Sequence, residues 1–183
     1  MTVALLVLIV ASGATPGVAQ GDAVPPWRTP LPEARETAEI IVGDTPLTVD
    51  LALEQDEQSL GLGYRNGLEP GTGMLFVFPT AEPHTFWMRG MRFCLDIVWI
   101  EAGEIAGAAE SVCPDPAGTE DTDRERFSSG EPVTFVLEVP AGWLAGNGYG
   151  EGTEVRIPDE LSTSGARPSR EALFQGGPDA PRA

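Results

Sequence analysis

Hydrophobic and polar residues alternate with a period of two along several stretches of the chain. Apolar side chains occupy every second position from Leu47 to Leu53, and again from Val133 to Val139. A shorter stretch repeats the pattern at Val155 and Ile157. Because successive side chains of a strand point to opposite faces of a sheet, this period predicts half-buried β-strands.

Two further stretches are almost continuously apolar and rich in aromatic and β-branched residues. They run from Gly73 to Phe78 and from Leu95 to Ile100. Runs of this length predict central strands that are buried on both faces. Helix is scarce, and the pattern predicts one short helix from Asp56 to Leu62 and another from Ala141 to Leu144. The chain is therefore expected to be mainly β, with one or two short helices.

The two ends of the chain differ from this β-rich region. Residues 1–19 combine an apolar run of about ten residues with the cleavage-like triplet Gly17-Val18-Ala19, which predicts a signal peptide. The run is shorter than the roughly 20 residues that span a bilayer, but it lacks a basic flank, which leaves an uncleaved membrane anchor as the alternative. Residues 20–37 have the composition of a proline-rich linker, and residues 159–183 that of a disordered tail. The folded domain is expected at residues 38–158.

The charge of the chain narrows the class of partner. Its 28 acidic residues stand against 11 basic ones, none of them lysine, so the formal net charge is −17. This charge repels nucleic acid and anionic lipid, so no nucleic acid is expected as a partner. High-salt solubility and genomic base composition both remain open as explanations of the acidity. The signal-like N-terminus predicts export to the cell envelope or the medium, with membrane contact only through an uncleaved N-terminal segment.

Six blocks of sequence occur in a fixed order between residues 38 and 158. They are Gly61-Leu62 with Arg65, then residues 73–78, 86–89, 95–98, 136–142 and 150–155. In this order they resemble the domain of unknown function 192 family, a group of small, often exported prokaryotic proteins. The chain departs from the usual family pattern at Gly63, Gly90 and Cys94. The resemblance implies a compact, mainly antiparallel β sandwich or barrel, and it implies no particular reaction.

Four charged residues lie inside otherwise apolar blocks, namely Arg65, Arg89, Asp96 and Glu138. An unpaired buried charge is costly, so we expect these side chains to be paired. The simplest interpretation is a set of structural ion pairs that join Arg65 or Arg89 to Asp96 or Glu138.

The same region supports two functional interpretations. In the first, an arginine holds a carboxylate or phosphate in a cleft while Trp87 and Met88 form an apolar or stacking wall. In the second, Asp96 and Glu138 act as a carboxylate pair in acid–base hydrolysis. Two carboxylates on separate strands are common in β domains, so their spacing assigns no catalytic residue. The candidate binding set is Arg65, Trp87, Met88, Arg89, Asp96 and Glu138.

Other chemistry-bearing residues are expected to be structural. His84 is the only histidine, which excludes sites that need two imidazoles, and we expect it to be partly exposed at the start of a strand. The acidic residues from Asp115 to Glu125 lack the ligand order of an EF-hand and predict a solvated loop rather than a calcium site. No metal or other cofactor is expected. The tryptophans in apolar surroundings are expected in the core, namely Trp87, Trp99 and Trp143.

The chain has two cysteines, Cys94 and Cys113, and we expect them to form a disulfide in an exported protein. The strands that follow Cys94 and precede Cys113 predict a hairpin. A type II′ turn at Gly103-Glu104 would place the two cysteines directly opposite each other. A turn one residue earlier would place Cys94 opposite Ser111 instead, and two unpaired thiols are the remaining alternative.

The sequence thus predicts a non-enzymatic, extracytoplasmic binding or accessory module whose ligand is a small molecule or a protein. A small hydrolytic enzyme that uses Asp96 and Glu138 is the alternative. The two differ in geometry, because an enzyme needs both carboxylates in one solvent-facing cleft, whereas buried and neutralised carboxylates have a structural role.

Overall fold

A computed structural model describes residues 36–162 of the chain. The predicted signal peptide, most of the predicted linker and residues 163–183 lie outside the described residues. The described part contains the following strands and helices in chain order: β1 (Thr37–Val42), β2 (Thr45–Ala52), α1 (Gln55–Leu60), β3 (Thr72–Glu82), β4 (Thr85–Phe86), β5 (Leu95–Glu101), β6 (Glu104–Val112), β7 (Phe127–Ser128), β8 (Val133–Pro140), α2 (Trp143–Asn147), β9 (Val155–Arg156) and α3 (Asp159–Ser162).

Seven strands form one curled sheet that resembles half a barrel, in the order β6-β5-β8-β3-β2-β1-β9. Strands β2 and β3 pair in parallel, and the other neighbours in this sheet are antiparallel. Strands β4 and β7 form a separate antiparallel ladder. The predicted mainly antiparallel β fold is confirmed, and the two predicted central strands, β3 and β5, lie on either side of β8.

Each face of the sheet carries a hydrophobic core. On the first face, Val98 and Leu137 pack with Leu144 of α2. On the second face, Ile97 and Val136 pack with a different set of buried side chains. Successive residues of one strand contribute to opposite cores, which explains why β5 is buried at six consecutive positions.

The parallel pairing of β2 with β3 determines what covers the second face. Parallel neighbours need a crossover connection, and residues 53–71, which include α1, supply it. Leu62, just after α1 in this crossover, packs into the second core. Within residues 36–162, no helix is long and apolar enough to cross a membrane.

The folded domain extends beyond its predicted end. Leu161 lies in α3, is only 5% exposed and packs into the core of the first face. The prediction that a disordered tail begins at residue 159 is therefore wrong for residues 159–162. A single apolar residue followed by serine and threonine carries no periodic signal, which is why the sequence did not reveal this contact.

The turn of the β5–β6 hairpin differs from the predicted one. Ala102 and Gly103 form the loop, with φ angles of 52° and 78°, and Glu101 pairs with Glu104. Positive φ at both central residues is the geometry of a type I′ turn, so the predicted type II′ turn is wrong.

Two β-bulges on β6 nevertheless bring the cysteines together. The register shifts once between Trp99 and Ile100 and again between Leu95 and Ile97. Each bulge places one extra residue on β6, so the register beside the cysteines becomes the predicted one. Cys94 and Cys113 form the predicted disulfide, with their Cα atoms 4.1 Å apart.

Candidate functional site

A cleft of about 260 Å³ lies over the second face of the sheet. Helix α1 and the residues that follow it form one wall, and the segment from His84 to Met91 forms the other. Aromatic rings line much of its interior. They belong to Phe76, Phe78, Phe86 and Trp87.

The floor of the cleft contains a buried carboxylate. Glu138 of β8 is 6% exposed and lines the cleft together with Phe76 of the neighbouring β3. Gly61, at the end of α1, has φ 52° and ψ −136°, a conformation that a side chain disfavours. A Cβ at this position would lie 3.3 Å from the Phe76 ring and 3.9 Å from Oε2 of Glu138. The glycine therefore both permits the backbone turn and leaves space beside the carboxylate.

His84 forms part of one wall. Its ring stacks on Phe78 with the ring centroids 3.5 Å apart, and its backbone is fixed by reciprocal bonds with Ser129. Burial lowers the pKa of His84, and this effect outweighs the opposing influences of Glu82 and of a hydrogen bond to the backbone of Val133. The imidazole is therefore neutral at pH 7. Its Nε2 atom is buried and has no hydrogen-bond partner among the described residues.

Trp87 lies at the mouth of the cleft and is only partly buried. The guanidinium of Arg126 lies 3.9 Å from the centre of its rings, and that of Arg89 lies 5.2 Å away. Both distances are within the range of cation–π attraction. The expectation that Trp87 is a core residue is therefore wrong, whereas Trp99 is buried and Trp143 packs at the edge of the first core.

The acidic loop between Cys113 and β7 supports this mouth. Asp121 forms a salt bridge with Arg89 at 3.1 Å, and Arg124 forms salt bridges with Asp115 and Asp121 at 3.0 Å each. Burial alone would lower the pKa of Arg124, but hydrogen bonds and charge from both aspartates raise it. The acidic loop that was predicted to be solvated is therefore held in part by salt bridges to Arg89 and Arg124. Within residues 36–162 no cluster of His, Cys, Asp and Glu could hold a metal ion.

Asp96 lies outside this cleft. It opposes Val139 in the sheet, whereas Glu138 opposes Ile97. Directly opposed residues share a face, and neighbouring residues on one strand do not, so the two carboxylates lie on opposite faces of the sheet. The proposed hydrolytic pair of Asp96 and Glu138 is therefore wrong.

The Asp96 carboxylate ties together three backbone segments. It is fully buried and accepts hydrogen bonds from the N–H groups of Ser111, Gly142 and Leu144, at 2.8, 3.0 and 3.0 Å. Ser111 has φ 54° and lies in the second bulge of β6. The expected ion pair of Asp96 with an arginine is replaced by backbone donors, which satisfy a buried carboxylate without a counter-charge.

Two other predicted site residues lie away from the cleft lining. Arg65 forms a salt bridge of 2.6 Å with Asp50, and both side chains are a quarter to a third exposed. Met88 is 3% exposed and belongs to the core of the second face, so it forms no wall for a ligand. Trp87, Arg89 and Glu138 are the predicted binding residues that the structure brings into one cleft.

The sequence did not single out several residues that complete the cleft. Gln55 and Gln58 come from α1, and Phe78 and Phe86 supply two of the rings. His84 was expected to have no special role. The polar face of the predicted short helix was a sequence signal for Gln55 and Gln58. The helix reaches the cleft through the crossover connection between β2 and β3, which the sequence pattern did not reveal.

Comparison with known proteins identifies a family that shares this sequence pattern. The family model of DUF192, described as Uncharacterized ACR, matches residues 38–157. Comparison with curated proteins finds no match.

Solved structures share the fold. The chain is similar to a crystal structure of a Sinorhizobium meliloti 1021 protein provisionally described as a transcription regulator, with 28% identity and a TM-score of 0.60 over 67% of this chain and 95% of that one. It is also similar in fold to a protein of unknown function from Novosphingobium aromaticivorans DSM 12444, with 23% identity and a TM-score of 0.59 over 74% of this chain and 100% of that one. Since the family model spans well over half of the sequence, the chain belongs to the DUF192 family.

Proposed function

We propose that the domain is an exported binding module that holds a small ligand in the cleft between α1 and the segment from His84 to Met91. The main support for this proposal is the cleft itself, where Gly61 leaves space beside a buried carboxylate and a group of aromatic rings. Ligand sites are typically concave, largely apolar and equipped with a few polar groups that orient the ligand.

Binding is favoured over catalysis because the carboxylate pair is divided by the sheet. Asp96 is committed to three backbone N–H groups on the first face, so Glu138 has no second acid from the predicted pair beside it. Acid–base hydrolysis by two carboxylates requires that both of them flank the bond that is cleaved. A single buried carboxylate among aromatic rings is suited to ligand recognition.

Export is part of the proposal, and the Cys94–Cys113 disulfide supports it because such bonds persist in oxidising compartments. DNA binding is not part of the proposed function. A net charge of −17 opposes contact with the DNA backbone.

A thermal-shift screen of the chain from residue 20 onward tests the proposal, with a library of metabolites, sugars, nucleotides and amines. A ligand that binds the folded state raises the unfolding midpoint by mass action. We expect compounds that stabilise the parent protein to lose their effect in Trp87→Ala. Trp143→Ala is the matched control, because it removes the same side chain from the opposite face of the sheet.

The proposal is overturned if stabilising compounds act equally on the parent and on Trp87→Ala, or if they lose their effect equally in Trp87→Ala and in Trp143→Ala. A library that stabilises none of the three proteins also counts against a small-molecule site.

A further inference from the structure

We propose that the cleft selects small organic cations, in which an ammonium or amidinium group is carried on an apolar or aromatic body. This inference rests on the proposed binding function and names its ligand class. Two features of the cleft favour this class of ligand: its hydrogen-bond acceptors and its aromatic rings.

Two of the polar side chains that line the cleft, those of Glu138 and His84, present hydrogen-bond acceptors. The Glu138 carboxylate offers about four lone-pair sites, so it can accept from a ligand in addition to its contacts within the protein. Neutral His84 has its Nε2 atom buried without a hydrogen-bond partner among the described residues. An ammonium group, which carries three donors and no acceptor, matches such acceptors, whereas a carboxylate or phosphate does not.

Gln58 strengthens this acceptor character. Its amide nitrogen donates to the backbone carbonyl groups of Ala52 and Val77, at 3.3 and 2.9 Å. These bonds commit the donor end of the side chain to the protein backbone. The group that Gln58 can offer to a ligand is therefore its carbonyl oxygen, which is a third acceptor in the cleft lining.

The aromatic rings favour the same sign of charge. Phe78, Phe86 and Trp87 line the cleft, and the face of an aromatic ring carries the negative part of its quadrupole. Trp87 already attracts the guanidinium groups of Arg126 and Arg89 in this way. One face of Phe78 is covered by His84, so Phe86 and the uncovered faces of the other two rings are the surfaces left for a ligand. A cation that lies against such rings gains cation–π attraction, which increases when water is excluded.

Two arginines of the described part of the chain lie near the cleft: Arg89 lines it, and Arg126 lies over Trp87 at its mouth and donates to the backbone carbonyl of Asp121. The Arg89 guanidinium forms a salt bridge with Asp121 and lies against the Trp87 ring. Beyond the cleft, the net charge of −17 attracts cations toward the domain and repels anions. The acceptors that line the cleft and the long-range field of the domain thus favour a cationic ligand over an anionic one.

Three probes of nearly equal size separate charge from shape: benzylamine, benzyl alcohol and benzoate. Isothermal titration calorimetry at pH 7.5 should show that benzylamine binds the parent protein at least tenfold more tightly than benzyl alcohol, with benzoate weakest. Glu138→Gln should weaken benzylamine at least tenfold and leave benzyl alcohol nearly unchanged. Glu154→Gln, at a residue whose side chain is 65% exposed, is the control that changes net charge equally.

His84 provides a second measurement that needs no variant. It is the only histidine, so its ring gives a single set of imidazole resonances in a proton–carbon NMR spectrum. Benzylamine should shift these resonances in the parent protein, and benzoate at the same concentration should not. This result is obtained even if Glu138→Gln fails to fold.

The inference is overturned if benzoate binds as well as benzylamine, or if Glu138→Gln and Glu154→Gln have equal effects. The failure of the ligand class differs from the failure of the binding function. If neutral or anionic compounds stabilise the protein in a Trp87-dependent manner while cations do not, the cleft binds ligands but its selectivity is not for cations.

Discussion

Replacement of Asp96 by Asn tests the role that the structure gives to its buried carboxylate. In the parent protein, Oδ1 accepts from the N–H groups of Ser111 and Gly142, and Oδ2 accepts from that of Leu144. An asparagine amide keeps one oxygen and replaces the other with an NH₂ group. In either orientation of the amide, its NH₂ group points at the backbone N–H of Leu144 or at those of Ser111 and Gly142. Two donors cannot form a hydrogen bond with each other, so at least one of the three bonds is lost.

The expected cost follows from that count. A hydrogen bond to a charged group contributes about 1.5–3 kcal/mol, and a buried N–H without an acceptor costs about 1–3 kcal/mol. These two ranges describe the same loss from two sides and are not added. We therefore expect Asp96→Asn to lower the free energy of unfolding by about 1.5–3 kcal/mol. Asp96→Ala removes all three acceptor contacts and should be more destabilising.

Urea denaturation without reductant measures this effect, since the disulfide must stay intact. Asp44→Asn is the matched control, because Asp44 is exposed and the substitution changes net charge equally. Amide hydrogen exchange adds a local reading, and the amide of Leu144 or those of Ser111 and Gly142 should exchange faster in Asp96→Asn. If the two variants unfold at the same urea concentration with equal slopes, Asp96 does not hold these segments together.

Four further outcomes follow from the structure. Because the pKa of His84 is lowered below 6.5, the unfolded chain takes up the proton first, and the unfolding free energy of the parent should fall more steeply than that of His84→Gln between about pH 7 and pH 5. Removal of the disulfide through paired Cys94→Ser and Cys113→Ser changes should cost about 3 kcal/mol in urea, and non-reducing mass spectrometry of the parent should find no free thiol. A chain that ends at residue 158 should melt several degrees below one that ends at residue 162, because only the longer chain buries Leu161. Arg65→Ala should cost only about 0.5–1 kcal/mol in the same urea assay, since its ion pair is partly exposed; a loss above 2 kcal/mol would restore the buried-pair interpretation.

The strands could be predicted because their side-chain pattern reports burial directly. The run from Leu95 to Ile100 is apolar on both sides, and β5 is the strand that contributes to both cores. The cysteine pairing was also accessible, because both cysteines flank one hairpin and contacts within a hairpin are local. The turn type was not, since the alternative loops differ by one residue and two bulges compensate for that difference.

The partners of the charged residues could not be read from the sequence. Arg89 forms its salt bridge with Asp121, in the loop that follows the β5–β6 hairpin. Arg65, in the crossover connection, forms its salt bridge with Asp50 of β2. Sequence blocks show that a charge is surrounded by apolar residues, but they do not show which face of the sheet it occupies. The separation of Asp96 from Glu138 follows from the register between β5 and β8, which are not consecutive strands.

The scaffold role of Asp96 and the proposed binding role of the cleft are connected through one segment of chain. Asp96 holds the bulge at Ser111, and two residues later Cys113 is bonded to Cys94. The loop that leaves Cys113 carries Asp121 to Arg89 before it enters β7, which pairs with β4 in the cleft wall.

Both ends of this acidic loop are therefore fixed, one by the first-face carboxylate and the disulfide, the other by the β4–β7 ladder. Arg126, near the second end, lies over Trp87, so this end of the loop contacts the mouth of the cleft. Asp96, on the first face of the sheet, is thus connected through this loop to the proposed site on the second face. Because the disulfide and the β4–β7 ladder still fix the loop if the bond from Asp96 to Ser111 is lost, Asp96→Asn should lower the free energy of unfolding in urea but leave the affinity of the folded variant for benzylamine, measured by calorimetry, nearly unchanged. A large loss of affinity in the folded variant would show that the disulfide and the ladder do not suffice to hold the loop.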